Sequence, residues 1–153
     1  MVSGEGGVRY EVDSAELATL AAAALDLQTI WDSAIADLGA TVSPVQLRAL
    51  LAIHRFGDLS LNALAEQLRA STSATSKLCD RLQQAGMITR SKTTADRRGV
   101  VLGLSEAGDR LVRWAQAQHR DRLGSIMAAM SPPGRDALVR GLNEFRLVLK
   151  RLT

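Results

Sequence analysis

The fold of this chain is decided by residues 60–104, which read SLNALAEQLRASTSATSKLCDRLQQAGMITRSKTTADRRGVVLGL. Ser60 can cap a helix, and the apolar residues after it recur at the three- or four-residue spacing of one helix face. These residues are Leu61, Leu64, Ala65 and Leu68. A second helix is predicted to begin at Ser71 or Thr72 and to end at Gly86. Its inward face is expected to carry Ala74, Leu78 and Leu82.

The apolar pattern changes after this second helix, from a period near 3.6 to a period near 2. Residues 87–92 and 100–104 are therefore predicted to form two paired strands joined by a polar, charged loop. The tip of this hairpin carries Thr94-Ala95-Asp96-Arg97-Arg98-Gly99. Two short helices followed by a basic hairpin form a shape suited to holding a DNA duplex in two grooves at once.

Longer helices are predicted on both sides of this unit. One spans about residues 14–38 behind a capping box of Asp13 and Glu16, and the next runs from Pro44 until Gly57. After the hairpin, one helix is expected over about residues 106–130, and a last helix follows a break at residues 131–133. Apolar residues of the last helix have near-heptad spacing, which suits helix–helix packing. They are Leu138, Leu142, Phe145, Leu149 and Leu152.

Composition limits the class of protein. The chain has 153 residues, 46% of them hydrophobic, which is enough for one domain with an aliphatic core. No apolar run approaches the roughly 18–20 residues that span a bilayer, and the polar, Gly-rich start lacks a secretory apolar segment. The single cysteine, Cys79, cannot form an internal disulfide. A cytoplasmic protein is the simplest expectation.

The net charge of +3 conceals a strong asymmetry. Residues 1–68 hold three basic and nine acidic side chains, whereas residues 69–104 hold seven basic and two acidic ones. Residues 105–153 hold nine basic and five acidic side chains. The basic excess begins at the second short helix, which favours an anionic partner there, although a solvated charged face is an alternative.

The second helix of this unit has two chemically different faces, and hydroxyls and cations lie on the outer one. Small hydroxyl side chains let a helix approach base edges and phosphates in the major groove, and Lys77 can reach a guanine edge or a phosphate. Alternatively, Ser71 and Thr72 serve only as caps, and Arg81 belongs to a structural ion pair. The candidate DNA contacts are Ser71, Thr72, Ser73, Ser76, Lys77 and Arg81, with Arg90 and Lys92 on the first strand.

The hairpin tip adds Asp96, Arg97 and Arg98 to these candidates. Arginine suits the narrow, negative minor groove because its guanidinium is weakly hydrated. An aspartate two residues before an arginine can pair with it and hold it extended. The alternative is an ordinary charged turn.

This arrangement resembles the winged helix-turn-helix of the MarR (multiple antibiotic resistance regulator) family. The matching segments are Leu64-Ala65-Glu66-Gln67-Leu68, residues 71–82, Gln84-Ala85-Gly86-Met87-Ile88, Asp96-Arg97-Arg98 and residues 102–108, which read LGLSEAG. The flanking helices fit as well, so the resemblance covers nearly the whole chain. It implies a mainly α fold with a small β-hairpin, in which Arg98, braced by Asp96, enters the minor groove. It also places Ser73, Ser76 and Lys77 on the side facing the major groove.

The resemblance further implies a homodimer in which the terminal helices of two chains interlock. The expected domains are residues 1–42 as a tail and dimerisation helix, 43–104 as the DNA-binding unit, and 105–153 as dimerisation helices. The alternative is that the outer helices only complete a monomer core. A twofold dimer would read a pseudo-palindromic operator. The expected interface residues are Leu17, Leu20, Leu138, Leu142, Phe145 and Leu149.

Members of this family often bind a small, frequently aromatic molecule between the dimer helices and the DNA unit. Trp31, His54 and Trp114 are candidates to line such a pocket, or are ordinary core residues. Some relatives sense oxidants through a cysteine in the first helix, but here Cys79 lies in the second short helix and is expected to act as a small apolar residue.

Catalysis is not indicated by the sequence. His54 and His119 have no ligand-spaced partners, and the chain contains neither a Gly-rich phosphate loop nor a nucleophile elbow. No cofactor or metal is expected. The sequence predicts a homodimeric DNA-binding transcriptional regulator that responds to a small ligand. A repressor is favoured over an activator. The alternative is a winged-helix module that binds protein instead of DNA, which would not need basic residues at the hairpin tip.

Overall fold

The computed structural model describes residues 11–36, 42–92 and 100–152, and within them the chain is mainly helical with one small sheet. The elements in chain order are α1 (Ser14–Ala36), α2 (Pro44–Phe56), β1 (Leu59–Ser60), α3 (Leu61–Leu68), α4 (Thr72–Gln84), β2 (Ile88–Lys92), β3 (Val100–Leu104), α5 (Glu106–Ala129) and α6 (Pro132–Leu152). No helix in these ranges combines the length and hydropathy needed to cross a bilayer.

Serine caps begin most of these helices where the sequence predicts them. The Ser43 hydroxyl accepts from the Gln46 amide at 3.4 Å, and the Gln46 side chain accepts from the Ser43 amide at 2.7 Å, which completes a capping box. Ser60 and Ser105 cap α3 and α5 more simply, each hydroxyl accepting from one amide of the first turn. Each cap satisfies a backbone amide that the first helical turn leaves without a partner.

The sheet is antiparallel and has the order β1-β3-β2. β2 and β3 form the predicted hairpin, with Ile88 opposite Leu104 and Lys92 opposite Val100. The sequence prediction missed β1, which pairs Leu59 with Leu102. A two-residue strand is too short to show an alternating pattern, so only its pairing with β3 identifies it.

The main core lies between α2, α3, α4, α5 and the sheet. Its largest fully buried side chains include Leu50, Ile53, Leu64, Leu82, Leu102 and Val112. A second cluster of Ile35, Val42, Leu47 and Ala115 ties α1 to α2 and α5. Leu51 and Leu111 pack against both clusters, so the long outer helices are continuous with the helix-turn-helix unit.

The inward face of α4 differs from the prediction. Ala74 is exposed and Leu78 is only partly buried, whereas Thr75, Cys79 and Leu82 are buried. The Thr75 hydroxyl donates to the Ser71 carbonyl oxygen at 3.0 Å, so its burial leaves no polar group unpaired. Counting only aliphatic residues placed the helix face incorrectly, because a threonine and a cysteine occupy two of its buried positions.

The start of α5 packs directly on the start of β2. The Ser105 hydroxyl donates to the Gly86 carbonyl at 2.6 Å, and the Ser105 amide donates to the Met87 carbonyl at 3.0 Å. Gly108 lies so close that an added Cβ would come within 2.1 Å of the Met87 carbonyl oxygen. This junction fixes the hairpin against the long helix that leads to the C-terminus.

Candidate nucleic-acid interface

The outer face of α4 presents most of the predicted contacts. Thr72, Ser73 and Lys77 are exposed, and Ser76 is partly buried. The Ser71 hydroxyl accepts from the Ala74 amide at 3.2 Å, so its side chain acts as the helix cap that the sequence allowed. Hydroxyls and a cation therefore share one surface of the second helix of the helix-turn-helix.

Lys77 and Arg81 are exposed and lie one helical turn apart. Within the described residues neither forms an ion pair. Both line a shallow, open groove of about 340 Å³, whose apolar floor includes Leu68 and Leu78. Unpaired cations around a concave surface create a positive potential that attracts an anion.

Sequence reasoning missed Arg48, which lines the same groove from α2. Arg48 is exposed and lies in the acidic part of the sequence, where no local pattern sets it apart. Only the packing of α2 against the helix-turn-helix brings it close to Lys77 and Arg81. The cationic surface therefore draws on two helices that are remote in sequence.

Arg90 is placed differently from these cations. One of its guanidinium nitrogens lies 2.7 Å from an Asp80 carboxylate oxygen, so β2 is joined to α4 by an ion pair. Lys92 is the last residue of β2. The tip predictions Asp96, Arg97 and Arg98 lie outside the described residues.

The three predicted pocket residues lie on different helices, Trp31 on α1, His54 on α2 and Trp114 on α5, and the first two contact α5 at separate points. The ring of Trp31 meets that of His119 edge-on with centroids 4.8 Å apart, while His54 Nδ1 lies 3.5 Å from an Asp109 carboxylate oxygen. Ten residues separate Asp109 from His119, which is roughly 15 Å along a helix. Trp114 lies between these contacts and is 40% exposed. These contacts alone do not form one enclosed pocket.

The ionisation of His119 provides a test of the contact between Trp31 on α1 and His119 on α5. Burial lowers the pKa of its imidazole below the ordinary value of about 6.5, because it disfavours the charged form. The unfolded chain therefore binds a proton at a higher pH than the folded chain. The associated stability is complete above the unfolded pKa and is lost as the pH falls through the folded pKa.

We therefore expect wild type to lose more free energy of unfolding than His119→Gln between pH 7.5 and pH 5. Denaturant melts of both proteins at both pH values measure this difference. Other titrating groups are common to the two proteins and cancel. Equal losses in both would show that the imidazole titrates alike in the folded and unfolded chains.

Cys79 is fully buried in the main core, as expected for a small apolar residue. Burial raises the pKa of its thiol, and the nearby Arg90 guanidinium opposes that effect only in part. The reactive thiolate is disfavoured as a result. Within the described ranges, no three His, Cys, Asp or Glu side chains converge to hold a metal ion.

The predicted interface residues all lie on exposed helix surfaces. Leu17 and Leu20 on α1 are about half exposed, and no residue of α6 is buried. The stripe of Leu138, Leu142, Phe145 and Leu149 on α6 is 42–48% exposed. Such a continuous apolar surface is typical of a site that binds another protein.

Sequence comparisons place this architecture among known proteins. Residues 42–100 match the sequence profile of the MarR family. Over 102 residues, or 67% of this chain, the sequence is 31% identical to YfiV of Bacillus subtilis, an uncharacterized helix-turn-helix-type transcriptional regulator. The matched region spans 64% of YfiV, slightly less than two thirds of that relative.

Solved structures share the fold over almost the whole chain. RV1404 from Mycobacterium tuberculosis is 28% identical with a TM-score of 0.79, covering 92% of this chain and 96% of its own. FabT of Streptococcus pneumoniae, solved in complex with DNA, is 18% identical with a TM-score of 0.71, covering 92% of this chain and 100% of its own. The second likeness concerns the fold alone.

Proposed function

Because this chain belongs to the MarR family of winged helix-turn-helix transcriptional regulators, we propose that it is a homodimeric, sequence-specific DNA-binding repressor. The relatives that it matches are transcriptional regulators and not enzymes. Its partner is double-stranded DNA with a pseudo-palindromic operator. The wing is the hairpin of β2 and β3 with its tip.

The observation that carries this proposal is the cationic surface around α4. Lys77 and Arg81 on α4 and Arg48 on α2 surround one groove, and none of the three is neutralised by an ion pair among the described residues. Free cations can replace the counterions of the DNA backbone, which supplies most of the non-specific affinity. Ser73 and Ser76, beside them, supply short polar groups for the major groove.

Repression follows from the geometry that we propose. A protein that inserts α4 in the major groove and the wing in the minor groove covers both sides of its site. An operator overlapping a promoter would then be closed to the transcription machinery. A small ligand that shifts α5 against the wing would change the spacing of the two DNA-binding units and release the operator.

The dimer is supported by the exposed apolar surfaces of α1 and α6. We propose that residues 1–42 and 105–153 serve dimerisation and that residues 43–104 serve DNA binding. Two copies related by a twofold axis would hold their α4 helices one turn of duplex apart, about 34 Å. The second copy supplies the other half-site.

Selection of duplexes from a random pool by the full chain tests this function. We expect a pseudo-palindrome whose half-sites are separated by one helical turn, and an affinity that falls steeply with salt concentration. A winged-helix module that binds protein would select no duplex. A promoter fusion with the selected site then tests repression, since added protein should lower transcription from it.

The wing tip can be tested separately. Arg98→Ala should weaken binding to the selected operator by about 1–3 kcal/mol, because it removes a guanidinium from the minor groove. Light scattering should show that the dimer is intact, since the tip is remote from α1 and α6 in sequence. Titration of labelled operator at fixed salt measures the effect, and unchanged affinity would contradict the role of the tip.

A further inference from the structure

The side chain of Arg90 lies on the inner face of the wing. Successive residues of a strand point to opposite faces, so Arg90 shares a face with Ile88, which is 3% exposed. Its partner across the sheet is Leu102, which is 1% exposed and belongs to the main core. Arg90 therefore points toward the body of the protein, where α4 covers this face of the sheet.

On that face the Arg90 guanidinium pairs with a carboxylate of α4. It donates to the Asp80 carboxylate at 2.7 Å, and it lies near enough to the buried Cys79 thiol to oppose the rise in the pKa of that group. The planar guanidinium has its donors in a fixed arrangement, so a short hydrogen bond to the carboxylate restricts where its plane can lie. This ion pair joins the first strand of the wing to the middle of the DNA-reading helix.

We propose that Arg90 is a positioning residue, which with Asp80 sets the angle between the wing and α4. This rests on the proposed function, because the angle matters only if both elements enter DNA together. Arg90 was a candidate DNA contact in the sequence; the geometry assigns it a role through Asp80 instead. Lys77 and Arg81 differ from it because neither has such a counter-charge in the part of the chain that the structure describes.

The physical effect is on geometry more than on stability. The Arg90 and Asp80 side chains are 33% and 50% exposed, and an ion pair at that exposure adds little to the free energy of folding. A strand, however, extends by about 3.3 Å per residue, so a small rotation of β2 near Arg90 grows toward the tip. Loss of the pair would misplace the wing relative to the minor groove while the main core persists.

A positioning role and a direct phosphate contact predict different results when Arg90 is replaced and DNA binding is measured. The probes are a duplex selected by the wild-type protein and a scrambled duplex of the same composition. Arg90→Gln should lower affinity for the selected duplex by about fivefold, the upper range for an exposed pair. It should leave affinity for the scrambled duplex and its salt dependence near wild type. Arg81→Gln, as a phosphate-contact control, should lower both and reduce the salt slope by about 0.9.

Asp80→Asn separates the roles further. It removes a negative charge from the DNA-reading helix, so charge alone would raise affinity for every duplex. We expect it to lower affinity for the selected duplex instead, by about the same fivefold factor as Arg90→Gln. Glu66→Gln on α3 is the matched control. Glu66 is exposed, and this substitution removes one negative charge, as Asp80→Asn does. That control should not lower affinity for either duplex.

The exchanged pair Asp80→Arg with Arg90→Asp completes the test. It keeps the net charge and restores an ion pair with the two charges exchanged. It should therefore recover much of the preference for the selected over the scrambled duplex that Asp80→Asn loses. Thermal melts accompany each variant, and the binding comparison uses proteins that melt near wild type.

Some outcomes would overturn the proposal. Arg90→Gln and Arg81→Gln having equal effects on both duplexes would make Arg90 a phosphate contact. Asp80→Asn strengthening binding to both duplexes would do the same. A wild-type protein that binds no duplex would overturn the proposed function as well, whereas wild-type binding with unaffected variants would overturn only the role of Arg90.

Discussion

Replacing Gly108 with alanine is expected to destabilise the fold by about 3 kcal/mol, the upper range for overpacking a well-packed site. The new Cβ would lie 2.1 Å from the Met87 carbonyl oxygen and 3.1 Å from its carbon. Both are backbone atoms, so no flexible side chain can move aside. Moving the carbonyl would also disturb its hydrogen bond from the Ser105 amide. Alanine's better helix propensity recovers only about 1 kcal/mol of this cost.

Gly124 on the same helix provides the matched control. A Cβ at Gly124 meets nothing within 4 Å, so Gly124→Ala should stabilise the protein by about 0.5–1 kcal/mol. Chemical denaturation of the two variants and wild type measures both effects. If Gly108→Ala unfolds at the same denaturant concentration as Gly124→Ala, α5 does not press on the start of β2 as described.

The elements of this fold could be predicted from local patterns because each is marked by its own residues. Ser43, Ser60 and Ser105 precede their helices, and the hydroxyls of all three accept from an amide in the first turn. The change from a period near 3.6 to a period near 2 placed the hairpin within one residue of the observed strands. These features depend on neighbours within four residues.

The parts that could not be predicted depend on contacts between elements. The inward face of α4 was misplaced because Thr75 is buried only once its hydroxyl binds the Ser71 carbonyl. Arg48 joins the cationic groove only through the packing of α2 against the helix-turn-helix. The pairing of Arg90 with Asp80 depends on which face of β2 meets α4. A list of basic residues does not distinguish a free cation from a neutralised one.

Leu142→Asp is expected to convert the proposed dimer into a monomer and to weaken operator binding by more than about 100-fold. The substitution places a charge in the middle of the exposed apolar stripe of α6, where a second copy would have to desolvate it. A monomer reads one half-site, and it loses the high effective concentration of a second linked unit, which is typically worth 10²- to 10⁴-fold. No residue of α6 is buried within one chain, so the core of the DNA-binding unit should stay folded.

Asn143→Asp is the matched control for this prediction, because it adds the same charge at an exposed neighbouring position. The helical period places residue 143 on nearly the opposite side of α6 from the stripe. Light scattering at micromolar concentration should report a monomer for Leu142→Asp and a dimer for Asn143→Asp and wild type. Operator titrations at one salt concentration should separate the variants in the same way. A Leu142→Asp protein that keeps the dimer mass would exclude α6 as the interface, and a monomer that keeps operator affinity would show that one unit reads the site alone.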